Sequence, residues 1–324
     1  MNRRRFGVSL GAMLLFAPAC IRAQRATPRI AVPAAGTEQD FAPSLEALKQ
    51  GMRDQGYPDS SVAYAVRYAL GQIPLQEQIV AELLAHKPDV IVVSGPPFFR
   101  AALKVTRTIP IVMAHVSNPV GNKFIDSLSR PGGNVTGVAN LYEAVLPKIA
   151  ETLHALAPLA SRVAVLLNEN NPSTASFWQS TESALRTLGK TAFRMTASSE
   201  SQIVDAFGRM AALGIRAAIV VPDQTFNFFK DRIAALAHAK RIPCAYATRD
   251  GVDAGGLVSY GPSISGNYRI SARYVAKILG GAKPADLAVE QSSKFELLIN
   301  CKTANSLGIR IPPDVLVRAD EIIE

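Results

Sequence analysis

Asp223 directly follows the apolar run Ile219-Val-Val-Pro222, so its carboxylate stands at the end of a strand that must be buried. An unpaired carboxylate there is costly, and a ligand ammonium would relieve the cost. The competing role is structural, as the cap of a helix opening near Thr225. His115, Ser117 and Asn118 end a second apolar run, Ile111 to Val116, in the same way. Ser94, with Gly95 and Pro96 behind it, and Asn171, with Pro172 and Ser173, each combine a cap residue with a proline near the first helical position. Free N–H groups at such helix starts favour a carboxylate, although either residue can cap its helix and do no more. Arg249 and Asp250, beyond a third strand, either face the same ligand or pair with each other. Tyr260, Tyr142, Phe98 and Phe226 adjoin these loops and suit an apolar or aromatic side chain, when they are not core.

Other chemistries lack their residues. The histidines, His86, His115, His154 and His238, show no spacing of a metal-ligand pair. No dinucleotide or phosphate-binding glycine loop, nucleophile elbow or pair of catalytic carboxylates is present, so nothing argues for an enzyme, a metal or a cofactor.

The elements that must position these residues are alternating strands and helices. Strands at 29–32, 62–68, 89–93 and 109–116 alternate with amphipathic helices at 43–55 and 75–85 and a helix after Pro96, the pattern of a parallel α/β sheet. Ligands bind such sheets beyond the carboxyl ends of the strands. The order then recurs: Arg162-Val-Ala-Val repeats Arg29-Ile-Ala-Val, and Ile242-Pro repeats Ile109-Pro, both at an offset of 133 residues. The fold expected is therefore two doubly wound parallel-sheet lobes joined by three crossings. Residues 24–138 with 263–289 make one lobe, and 139–262 with 290–324 the other, their strand ends facing one cleft.

The first 23 residues are set aside as an export signal: Arg3, Arg4 and Arg5, an apolar stretch from Gly7 to Ala19, and Ile21-Arg22-Ala23 as a cleavage site. The arginine run resembles a twin-arginine signal, with ordinary secretion the alternative. A lipid tether on Cys20 is a further alternative, which Ala17 and Pro18 fit poorly. Losing Arg3, Arg4, Arg5 and Arg22 lowers the formal charge from +9 to +5. What remains shows no basic cluster interleaved with aromatics, which argues against nucleic acid. Cys244 and Cys301 read as buried free thiols, with a disulfide the alternative.

Several segments resemble the ABC-transporter substrate-binding proteins of the tryptophan-binding group. They are Lys87-Pro-Asp-Val-Ile-Val-Val-Ser-Gly, Thr108-Ile-Pro-Ile-Val-Met-Ala, Asn118-Pro-Val-Gly, Arg130-Pro-Gly-Gly-Asn-Val-Thr-Gly, Ser259-Tyr-Gly-Pro, Gly281-Ala-Lys-Pro-Ala-Asp-Leu and Lys294-Phe-Glu-Leu-Leu-Ile-Asn. The resemblance implies a type I periplasmic-binding fold with three crossings and capture of a small organic solute such as an aromatic or branched amino acid; the export signal makes the expected location the periplasm, and a monomer is expected. Its implied partners are an inner-membrane permease and its ATPase. Carried over by position, the implied ligand residues are Ser94, Ser117, Asn118, Asn171, Ser173, Asp223 and Tyr260. Where relatives commonly have Gly-Asp-Pro-Val, this chain has Ser117-Asn118-Pro119-Val120, one negative charge fewer. A sensor presenting its closed form to a membrane receptor is the alternative function.

Overall fold

The computed structural model describes residues 27–324; the expected export signal and Cys20 lie outside the described residues. The chain opens with β1 (Arg29–Ala34), α1 (Glu38–Asp54), β2 (Ala63–Tyr68), α2 (Gln76–Ala85), β3 (Val90–Ser94), α3 (Pro96–Val105), β4 (Ile111–Ser117) and β5 (Val135–Asn140). It then crosses into α4 (Tyr142–Leu156), β6 (Arg162–Leu167), α5 (Thr174–Thr187), β7 (Thr191–Thr196), α6 (Glu200–Ala212) and β8 (Ala217–Val220). The second lobe continues with α7 (Gln224–Phe228), α8 (Lys230–Ala239), β9 (Cys244–Tyr246), α9 (Arg249–Asp253) and β10 (Val258–Pro262). A second crossing returns to the first lobe for α10 (Ile264–Leu279) and β11 (Glu290–Gln291). The third leads to β12 (Phe295–Asn300), α11 (Cys301–Leu307), α12 (Pro313–Val317) and β13 (Glu321–Ile323).

One sheet runs β11-β5-β4-β3-β1-β2 and the other β13-β12-β10-β9-β8-β6-β7. β1 and β6, which carry the repeated tetrapeptide, occupy the same place, one strand in from the edge. The first sheet continues to Asn140 and takes in Glu290 and Gln291, two residues past the first and third crossing points placed from the sequence. Continuous apolar strands are explained by cover on both faces. Ile30, Val32, Val92 and Val112 point to the layer of α1 and α10, whereas Ala31, Ile91, Val93 and Met113 point to α2 and α3. α10 sits close on α1 because Gly51 has no side chain; a Cβ there would strike Arg269 and Ala272.

Three features differ from the sequence expectation. α1 begins at Glu38, five residues before Pro43, because Thr37 and Asp40 form a capping box. β12 pairs antiparallel with β10. It enters its lobe from the crossing and runs away from the cleft, opposite to the strands that run towards it. Cys244 and Cys301 are both free thiols, but only Cys244 is buried; Cys301 is half-buried.

Candidate functional site

The carboxyl ends of both sheets enclose a cavity of about 440 Å³. Its walls come from the β1–α1 turn, the β3–α3 turn and the end of β4 on one side. Opposite stand the loops after β6, β8 and β9, with β10 and the start of α10 at the crossing. The lobes touch across it. The Gln224 amide donates to the Ser94 carbonyl at 2.8 Å and accepts from Gln76 at 2.8 Å. Lys230 of α8 pairs with Asp40 of α1. Near the crossings, Asn118 donates to Glu143 at 3.0 Å and Asn122 to Ser173 at 3.0 Å. This is a closed form.

Of the residues singled out from sequence, Ser94, Gly95, His115, Ser117, Asn171, Asp223, Arg249 and Asp250 line the cavity. Asn118, Ser173, Thr225 and Tyr260 are not part of its wall. Asn118 sits at φ +43° in a turn, its side-chain amide oxygen accepting from the Gly121 N–H at 3.0 Å. Ser173 is buried with its hydroxyl on Asn122. Thr225 lies behind Asp223, donating its N–H to that carboxylate at 2.9 Å. Tyr260 stacks on Phe295, because successive side chains of a strand alternate and it is Ser259 and Gly261 that face inward. Of the other aromatics, Tyr142 lines the cavity, while Phe98 and Phe226 are core.

The two helix starts read as anion sites are weaker than expected. Gly95, at φ +77°, is the cap of α3, and Ser94 makes no capping bond. Pro96 and Pro97 then remove the first two N–H donors. At α5, the Asn171 side chain already accepts the Ser173 N–H and its carbonyl the Thr174 N–H. The free start is that of α10, where Ser263 caps Gly266 and leaves the Ile264 and Ser265 N–H groups without partners among the described residues. Ile264 and Ser265 line the cavity. Beside them, the Tyr268 and Ser259 hydroxyls also line it, each residue 1 % exposed and neither hydroxyl bonded. Unsatisfied buried hydroxyls facing a cavity are sites where a ligand completes the hydrogen bonding.

Asp223 is a buried carboxylate with three neutral donors: Asn168 at 3.0 Å, Asn171 at 2.9 Å and the Thr225 N–H at 2.9 Å. Burial raises its pKa, and those bonds pull the other way. It both caps α7 and faces the cavity. Arg249 does not pair with Asp250; its guanidinium takes Glu321 at 2.6 Å and Asp253 at 3.0 Å. The Asp250 carboxylate therefore makes no hydrogen bond or ion pair among the described residues. Burial raises its pKa, Lys230 lowers it, and Asp253 and Asp40 raise it again.

Sequence reasoning missed Phe41, Phe228 and Tyr268 in the wall, along with Gln224 and Lys230. All lie on helices beyond the strand ends. The available signal was the cap: each is within about two turns of Thr37, Asp223 or Ser263.

His115 joins the cavity to the crossings. Its Nε2 meets the Tyr142 hydroxyl at 3.0 Å, and its Nδ1 faces the Asn267 amide, which donates to Asn140 at 3.1 Å. Burial pushes the His115 pKa down to about 3. Between pH 6.5 and that value the unfolded chain binds a proton that native His115 does not, so stability falls on acidification. The expected slope from this residue approaches 1.4 kcal/mol per pH unit. Urea unfolding at pH 7 and pH 5 checks it: His115→Gln should lose that part of the acid sensitivity, and an unchanged difference would refute the assignment.

Residues 38–323 match the family model described as ABC transporter substrate binding protein. The chain is 23% identical over 273 residues to a tyrosine-binding protein of Clostridioides difficile, covering 83% of this chain and 78% of that one. Among solved structures, a conserved domain protein from Vibrio cholerae has a TM-score of 0.85 at 26% identity, covering 92% of this chain and all (100%) of that one. A domain from Streptococcus pneumonia in complex with L-Trp gives a TM-score of 0.85 at 23% identity, with the same coverage, 92% and 100%. Among the described residues no helix is long and apolar enough to cross a membrane, and no group of three or more His, Cys, Asp or Glu side chains is placed to hold a metal.

Proposed function

We propose, on the premise that the chain belongs to the family of ABC transporter substrate binding proteins, that it captures an α-amino acid outside the cytoplasm and delivers it to a membrane permease and its ATPase. The family binds solutes, and the closed cavity carries the reading: it is small, shared by both lobes and lined by unsatisfied polar groups. The α-carboxylate is held by the start of α10 with the Tyr268 and Ser259 hydroxyls, where the helix dipole favours negative charge. The α-ammonium faces a carboxylate of the second lobe. Phe41, Tyr142 and Phe228 supply an apolar wall for the side chain. Closure brings both lobes onto the solute, and the closed surface is what a permease reads. The tyrosine-binding relative and the L-Trp complex support an amino acid as the ligand class. Export by a cleaved signal to the periplasm, with the protein working as a monomer, completes the proposal.

Calorimetric titration with the twenty common L-amino acids tests it. A bound solute at a hundredfold excess over Kd should also stabilise the protein by about 2.7 kcal/mol. Absence of heat and of thermal shift across the whole set would reject an amino acid as the solute.

A further inference from the structure

We propose that the solute is a basic amino acid, an α-amino acid whose side chain ends in a second cationic group, with Asp223 and Asp250 receiving its two positive centres. The proposal rests on the amino-acid reading above and refines it.

The charges around the cavity carry the argument. Five carboxylates line it, those of Asp40, Asp223, Asp250, Asp253 and Glu296, against two cations, Lys230 and Arg249. Both cations are already engaged: Lys230 by Asp40, and Arg249 by Asp253 and Glu321. Glu296 has Lys294 at 3.0 Å. Two carboxylates remain without a cation, Asp223 with neutral donors only and Asp250 with no partner among the described residues.

A neutral amino acid brings one positive and one negative centre. Its carboxylate takes the α10 start and its ammonium takes one Asp, which leaves the other Asp ionised in a space from which closure removes water. Such a charge costs several kcal/mol or takes up a proton. A side-chain ammonium or guanidinium removes the imbalance. The aromatic wall suits this too, because an alkyl stem packs on Phe41 and Phe228 while Tyr142 and Tyr268 place aromatic rings beside the cation.

Asp250 is faced by Lys230 of α8, by Arg249 and Asp253 of its own helix, by Asp40 of α1 and by Tyr142 of α4. The balance of burial over these charges raises its pKa. A cationic ligand needs the ionised form and so binds more weakly as pH falls; a neutral ligand needs the protonated form and binds more tightly.

The experiment is calorimetric titration of the purified, ligand-stripped protein at pH 7.5 with L-arginine, L-lysine and their neutral counterparts L-citrulline and L-norleucine, and with L-tyrosine and L-tryptophan. At least one basic amino acid should bind about a hundredfold more tightly than its neutral counterpart, and Asp250→Asn should reduce that preference to below about tenfold. The comparison of ligands on the unaltered protein stands even if the variant folds poorly. If the neutral counterparts, tyrosine or tryptophan bind as tightly as arginine and lysine, the charge assignment is overturned and the amino-acid reading survives. If none of the six binds, this proposal falls, and the titration with all twenty amino acids decides the broader reading separately.

Discussion

Gly71→Ala is expected to weaken solute binding by about thirtyfold or more while each lobe stays folded. Gly71 follows β2 in the first lobe at φ +74°, and its N–H donates to the Ala35 carbonyl at 2.7 Å. A Cβ added there would come within 2.4 Å of the Phe228 ring, at the end of α7 in the other lobe. The left-handed backbone costs an alanine about 1–2 kcal/mol, but that cost is present in the open and the closed form and cancels from binding. The collision with Phe228 exists only when the lobes meet, so it opposes closure alone. About 2 kcal/mol against the closed form corresponds to the stated thirtyfold. Adding Phe228→Ala to Gly71→Ala should recover part of the loss, giving a non-additive cycle, although Phe228 itself lines the cavity. Titration supplies the affinities, and small-angle scattering should show less compaction on adding solute. Unchanged affinity in Gly71→Ala would mean that this contact is no part of the bound state.

The lobes were legible because a buried parallel strand leaves a strong mark, a run such as Ile111 to Val116 ending abruptly in polar residues. The repeat placed β1 and β6 in equivalent positions because tandem halves keep their order of elements. The direction of β12 was not legible, since it depends on where the chain re-enters its lobe. Side-chain direction near the cavity was also hidden. Moving one residue along a strand exchanges its faces, which is why Ser259 lines the cavity and the more conspicuous Tyr260 does not. Ser94 illustrates another limit: the pattern Ser-Gly-Pro-Pro resembles a capped helix start, yet Gly95 takes the cap and two prolines remove the donors that would have made an anion site. Phe41 and Tyr268 meet edge to face at 5.4 Å although 227 positions separate their numbers, a proximity only the packing of α10 on α1 creates.

Asp223→Ala is expected to lose both affinity and folding stability, whereas a carboxylate that met only a ligand ammonium, one of the two roles read from the sequence, would lose binding with folding nearly intact. The difference lies in what the carboxylate touches. Asn168 and Asn171 are 0 % and 6 % exposed, and each points its amide at Asp223. Alanine would leave both amides and the Thr225 N–H short of an acceptor. An abandoned buried donor costs about 1–3 kcal/mol, and relaxation around the site keeps the sum near 3 kcal/mol. The melting temperature of the unliganded protein should fall by roughly 5–10 °C. Asp223→Asn would not restore the network, since its own NH₂ would face one of the two donors. Asp250→Ala provides the contrast: with no side-chain bonds to lose and a half-buried charge removed, it should leave unliganded stability unchanged or raise it, because burial disfavours the ionised form. Melting curves of the two variants without solute therefore separate a carboxylate that holds the lobe together from one that waits for a cation. A shared drop, or a stable Asp223→Ala, would show that the hydrogen bonds around Asp223 do not support the fold.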